Sequence, residues 1–260
     1  MERRELLKLA LAGTVILGGV GKKAIAVPAG TGIDTPVVFP PGVPVPSLEE
    51  ILDSLPTLQG VAQAYEEEIR KSKLIMDNCR NRTTPFEVAM YYWQLRSGEF
   101  NQQFGAEASS YAEEWPIRAN PVIVQFFNAT TLHKPVGDQT AWCAAFACTC
   151  IEKVAPGKST KSAASSSYRE WGESTTTPKC GDIVVFQHKT KPGLGHVGFY
   201  VAEAPGGVMV LGGNQMPLWK KLPGGTYESR NTGEVNIKLF PLDGHELKLH
   251  SYRTDPILHS

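Results

Sequence analysis

Between residues 140 and 154, apolar positions recur at Cys143, Phe146, Ala147, Cys150, Ile151 and Val154, with Thr149, Glu152 and Lys153 set apart from them. Spacing of three and four predicts a helix whose apolar stripe packs on a sheet while the opposite side faces away. A helix opening near Thr140 holds Cys143 in its first turn. Upstream, Val61, Ala64, Tyr65, Ile69, Leu74 and Ile75 alternate with Glu66-Glu67-Glu68 and Lys71, which predicts a second helix over Gln59–Asn78 with a wet face. Thr84-Pro85-Phe86-Glu87 opens another, through Trp93 and Leu95, with proline at the first helical position. Asn120-Pro121 opens a short one over Val122–Phe127, and Ser165-Ser166-Ser167 precedes a last one at Tyr168–Trp171.

Beyond Trp171 the period changes. Short runs at 182–186, 196–202, 208–211, 235–240 and 248–252 are rich in Val, Ile, Phe and Tyr and are separated by Gly and Pro clusters. Such runs predict an antiparallel sheet. Helices first and strands afterwards is an α+β order.

The first 47 residues have a different character. Arg3-Arg4 precedes Leu6-Leu7-Lys8, an apolar run from Leu9 to Val20 and a small-x-small site at Ala24-Ile25-Ala26. This pattern predicts an export signal over residues 1–26, similar to the twin-arginine type, cleaved after Ala26; an uncleaved anchor is the alternative. Residues 27–47 carry Pro28, Pro36, Pro40, Pro41, Pro44 and Pro46, which favours an extended tether. Ser47 and Glu50 then form a capping-box pattern that opens a helical segment over 48–114. Residues 115–260 hold the remaining chemistry. The formal charge is zero over the 260 residues. Arg3, Arg4, Lys8, Lys22 and Lys23 against Glu2 and Glu5 give the leader +3, so the remainder carries −3. That leaves no electrostatic footprint for nucleic acid. Export implies a periplasmic or extracellular location, the twin-arginine machinery as partner, and no stable membrane insertion after cleavage.

Cys143 at a helix N-terminus has chemical potential, because the helix dipole and first-turn N–H groups favour a thiolate. A small inert core cysteine is the plain alternative. Of the six histidines, His196 alone begins an apolar strand directly after a glycine-rich loop, Pro192-Gly193-Leu194-Gly195. There its ring is expected to be held by the strand yet open to a cleft, able to form an ion pair with the thiolate and to carry a proton to a leaving amine. Asn214 follows the next strand at Gly212-Gly213, where antiparallel pairing would bring it near the start of the His196 strand. Its amide oxygen could accept the second imidazole N–H, as in a Cys-His-Asn arrangement; a simple turn residue is the other reading. Oxyanion donors would include the Cys143 backbone N–H, with Gln139 and Thr140 as candidates for a second. Trp142, next to the cysteine, and Trp219, in the long loop after Asn214, are candidate substrate contacts.

Trp142-Cys143-Ala144-Ala145-Phe146, the run from Pro178 through Gly181-Asp182 to Phe186, Gly195-His196-Val197-Gly198-Phe199-Tyr200 and Gly212-Gly213-Asn214-Gln215 together resemble the CHAP (cysteine, histidine-dependent amidohydrolase/peptidase) family, related to the NlpC-type cell-wall peptidases. The resemblance covers roughly residues 115–255. It implies a papain-like α+β fold with the nucleophile helix packed on an antiparallel sheet. It also implies hydrolysis of peptidoglycan amide bonds, as amidase or endopeptidase, without a cofactor or metal. By carry-over Cys143 is the nucleophile, His196 the general base and Asn214 the orienting residue, while Asp182 forms a turn. Two features depart from the family pattern: the long insertion over 216–235 and the N-terminal helices. A catalytically inactive envelope-binding module and a hydrolase of other peptides or amides are the rival readings.

Five cysteines in an exported chain leave at least one unpaired. Cys79–Cys180 and Cys148–Cys180 bridges are open options. A zinc site from Cys148, Cys180 and His188 lacks the usual ligand spacing.

Overall fold

Local chemistry starts the elements where the sequence places them. In the computed structural model, which describes residues 66–115, 119–132, 137–217, 220–221, 227–228 and 232–260, helix α1 spans Glu66–Asn78 and α2 spans Pro85–Arg96. Thr84 caps α2: its hydroxyl accepts from the Glu87 N–H, while the Glu87 carboxylate reaches back to the Thr84 N–H. This capping box satisfies two otherwise unpaired donors. A short α3, Asn101–Phe104, leads to α4 at Pro121–Phe126, where the Asn120 side chain accepts from Val122 N–H. The export segment, the proline-rich tether, the Ser47 capping pattern and Trp219 all lie outside the described residues.

Helix α5 runs Cys143–Val154, beginning three residues later than the apolar pattern suggested, so that Cys143 is its first residue. Every side chain from Cys143 to Ile151 is buried. The expectation that Thr149 faces away is overturned, because α4 covers that side and the Thr149 hydroxyl donates to the Phe126 carbonyl at 3.0 Å. The segment after it forms a 3-10 turn at Ser165–Arg169 in place of the expected helix at 168–171.

The sheet follows the strand-like runs. Its members are β1 (Glu173–Thr175), β2 (Ile183–His188), β3 (Gly195–Ala204) and β4 (Gly207–Gln215), then, after the separate two-stranded pair β5 (Lys220–Lys221) and β6 (Tyr227–Glu228), β7 (Glu234–Phe240) and β8 (Leu247–Thr254). The six-stranded sheet has the order β1-β8-β2-β3-β4-β7, and every pairing is antiparallel. Asp182 forms the turn before β2: its carboxylate accepts from Lys179 N–H at 2.7 Å, and His259 binds the other oxygen.

Alternation sorts the side chains onto two faces. Ile183, Val185, Val197, Phe199 and Leu211 join the core that contains α5, α2 and α4. Val184, Phe186, Tyr200, Val208 and Val210 form a second cluster on the other face. The helical segment is not a separate body. Tyr92 of α2 packs edge-on against Phe146 of α5 and Phe126 of α4, and Phe86 does the same against Phe199 of β3. The fold is α+β with the cysteine helix on an antiparallel sheet, as the resemblance implied.

Candidate active site

Cys143 is buried, at the start of α5. Trp142, at the cap position of this helix, makes no side-chain cap hydrogen bond. The N–H groups of a helix's first turn are the kind of donor that can stabilise a developing oxyanion. Of the two candidates for a further donor, Thr140 turns its backbone N–H to the Gly137 carbonyl at 3.4 Å. The Gln139 side chain lies outside the described residues.

Trp142 is not available to a substrate. It is fully buried, packs against Phe126 and Phe146, and donates its indole N–H to Glu114 at 3.2 Å. An aromatic residue preceding a helix in an apolar stretch fills the core here, and the expected substrate contact is corrected accordingly.

His196 is the second residue of β3, as the sequence suggested, but its ring is not open to a cleft. It is 6% exposed and stacks on Phe240 with centroids 5.0 Å apart and planes within 6°. Its strand partner is Phe186, so the ring belongs to the sheet face opposite α5. Burial pushes the imidazole down to about 4; the Gln215 bond acts in the opposite direction, and nearby Lys238 lowers it further. Desolvation penalises the charged form of a buried base. The ring is therefore neutral at neutral pH, which corrects the expectation of an imidazolium poised beside a thiolate.

The partner of His196 is Gln215, not Asn214. His196 Nε2 lies 3.1 Å from Gln215 Oε1. The reason is a β-bulge. Gly212 pairs with Asn236 and Gln215 pairs with Glu234, so a three-residue step on β4 matches a two-residue step on β7. In a regular strand Asn214 would share a face with Gly212; the extra residue gives that place to Gln215. Asn214 is the bulge residue itself, with φ +57°, a backbone region that asparagine tolerates better than most residues. The residues Gly-Gly-Asn, each suited to unusual backbone, were the signal for this bulge in the sequence.

Gly212 and Gly213 bring the two halves of the site together. A Cβ on Gly212 would lie 3.3 Å from His196 Nε2. A Cβ on Gly213 would collide with the Trp142 ring and lie 2.9 Å from Phe146 Cβ. The imidazole and the start of the cysteine helix thus lie against consecutive glycines on opposite faces of one strand, both near the end of the sheet where β3 begins.

Behind Gln215 lies a buried polar set that sequence reading missed. Gln215 Nε2 donates to the Asn236 carbonyl at 2.6 Å and to Asn236 Oδ1 at 2.7 Å. Asn236 Nδ2 donates to Glu234 Oε1 at 2.8 Å, and Glu234 Oε2 accepts from Arg96 Nε at 2.8 Å. Glu234 lies at the end of the long insertion and Asn236 just after it, and neither matches a motif. Arg96 sits in a helix with no chemical signature.

Cys79, Cys148 and Cys180 are not in disulfides, so neither suggested bridge is present. Cys148 lies 3.3 Å from the Tyr168 hydroxyl. Burial pushes Cys79 up to about 11 and holds Cys150 well above the usual thiol range, which makes both inert at neutral pH. No group of three or more His, Cys, Asp or Glu suited to a metal occurs among the described residues, and none of their helices is long and apolar enough to cross a membrane.

Comparison with curated proteins and with solved structures gave no match. A protein-family model described as CHAP domain does match, over residues 135–214, from the turn before α5 to the bulge residue one position short of Gln215. The matched stretch is similar to a CHAP domain and contains α5, β2, β3 and nearly all of β4.

Proposed function

We propose that the protein is an exported cysteine amidohydrolase that cleaves amide bonds of peptidoglycan, with Cys143 as nucleophile, His196 as general base and Gln215 as the orienting residue. The observation that carries this reading is the buried His196–Gln215 hydrogen bond, whose histidine lies with Cys143 inside the stretch similar to a CHAP domain. The twin-arginine-like leader supports a substrate outside the cytoplasm.

A neutral His196 would take the Sγ proton as the sulfur attacks the carbonyl carbon. The oxyanion would be stabilised by N–H groups of the first turn of α5. Collapse would break the C–N bond, with the imidazolium returning its proton to the leaving amine. Water, deprotonated by the same ring, would then release the carboxylate and restore the thiol. With Gln215 Oε1 accepting from Nε2–H, Nδ1 is the nitrogen left to act as base.

Digestion of purified sacculi followed by mass spectrometry tests the reading. A freed lactyl carboxyl on the glycan identifies an amidase, and a new carboxyl within the stem peptide identifies an endopeptidase. Cys143→Ala should abolish either product while leaving a folded protein; unchanged digestion by this variant would refute the assignment.

One observation favours a second reading, a non-catalytic envelope-binding module: the His196 ring lies on the sheet face opposite α5. Iodoacetamide labelling separates the two. A Cys143 that labels rapidly at neutral pH, and slowly in His196→Ala, fits the hydrolase; slow labelling in both fits the binding module.

A further inference from the structure

We propose that Asn236, Glu234 and Arg96 are positioning residues that fix the amide of Gln215 and thereby the tautomer of His196, so that helix α2, outside the family match, completes the active site. The proposal rests on the assignment of His196 as the base.

The argument is one of exclusion at each link. An imidazole can carry its proton on either nitrogen, and an amide can point either way. Gln215 Nε2 is ringed by acceptors: the Val210 carbonyl at 3.3 Å, the Asn236 carbonyl at 2.6 Å and Asn236 Oδ1 at 2.7 Å. Turning the amide over would set Gln215 Oε1 against three oxygens. The oxygen therefore faces His196, and the hydrogen lies on Nε2. Asn236 is held in the same way, because its Nδ2 donates to the Met216 carbonyl at 3.1 Å and to Glu234 Oε1 at 2.8 Å. Its Oδ1 is thus committed to Gln215.

Glu234 accepts on one oxygen from Asn236 and on the other from Arg96. The Arg96 guanidinium also donates to Glu113 at 2.9 Å. One cation at the C-terminal end of α2 thereby serves two carboxylates, and that helix end favours positive charge. His196, Gln215, Asn236 and Glu234 are each more than nine-tenths buried. A buried ion pair of this kind adds little net stability over a well-packed apolar replacement. Removing one member, however, lets the next amide rotate. The order runs from a guanidinium on a helix to a proton on a ring, with a single orientation allowed at each step.

Nitrogen-15 spectra of the histidine rings in the full chain read the tautomer directly, alongside kcat and KM on sacculi. Wild type should show His196 as the Nε2–H form alone. Asn236→Leu and Arg96→Met should mix the two tautomers and lower kcat by about ten- to a hundredfold with KM held. Arg96→Lys, which keeps a cationic donor for Glu234, should retain the wild-type tautomer. Arg96 lies at the edge of the network, so Arg96→Met serves if Asn236→Leu does not fold. A single unchanged tautomer in either folded disruptive variant would overturn the proposal, even if kcat fell. The tautomer needs no turnover to be seen, so an inactive wild type would count against the hydrolase assignment alone.

Discussion

The two faces of the sheet are built on different principles. Toward α5, Val185, Val197, Phe199 and Leu211 meet Phe146, Trp142 and the alanines of the cysteine helix in an apolar core. Stability there follows from area removed from water, about 25 cal/mol per Å². On the other face an apolar cluster around Phe186 and Val210 adjoins His196, Gln215, Asn236 and Glu234, all buried. Polar groups in that setting cost free energy unless each is hydrogen-bonded. The first face tolerates changes that keep volume. The second tolerates changes that keep donors and acceptors in place, which is what the proposed site requires.

The sharpest way to test this contrast is Gln215→Leu, which conserves bulk but leaves His196 Nε2 and Asn236 Oδ1 without their partner. We expect kcat to fall by about a hundredfold or more and stability by roughly 2–3 kcal/mol, read by kinetics and urea melts. Full activity would remove Gln215 from the site.

Acid should act on the same face. Folded His196 titrates at about 4 against an ordinary value of 6.5. The unfolded chain binds this proton first as pH falls, so stability declines between those two values and levels off below. The total is about 3 kcal/mol. Urea melts across this range should show the decline in wild type and a shallower one in His196→Phe.

On the apolar face, Gly213→Val drives side-chain atoms into Trp142 and Phe146. Overpacking of this kind costs about 1–3 kcal/mol, and a thermal melt measures it. The smallest effect is expected at Asn214→Gly. A left-handed backbone suits glycine, so stability should change by less than about 0.5 kcal/mol and kcat should hold. A large loss of kcat there would return Asn214 to the catalytic set.

Much of the architecture was legible beforehand. The stripe through Phe146, Cys150 and Ile151 marked α5, Thr84-Pro85 marked α2, and runs rich in β-branched and aromatic residues marked the five long strands. These signals are local: periodicity, caps and turn chemistry act within a few residues, so the sequence carries them openly. Cys143 at a helix start and His196 at a strand start were likewise visible.

Three features were decided by tertiary structure. Gln215 replaced Asn214 because a single bulge residue shifts which side chain shares a face with Gly212, and alternation counted along one strand cannot register an insertion relative to its neighbour. Thr149 went inside because α4 covers the helix side that periodicity assigned to solvent, and Trp142, expected to meet substrate, packs instead on Phe126 and Phe146. Arg96, Glu234 and Asn236 came together from an early helix and a late edge strand. A hydrogen bond depends on position in space, and the chain between those residues holds no trace of it.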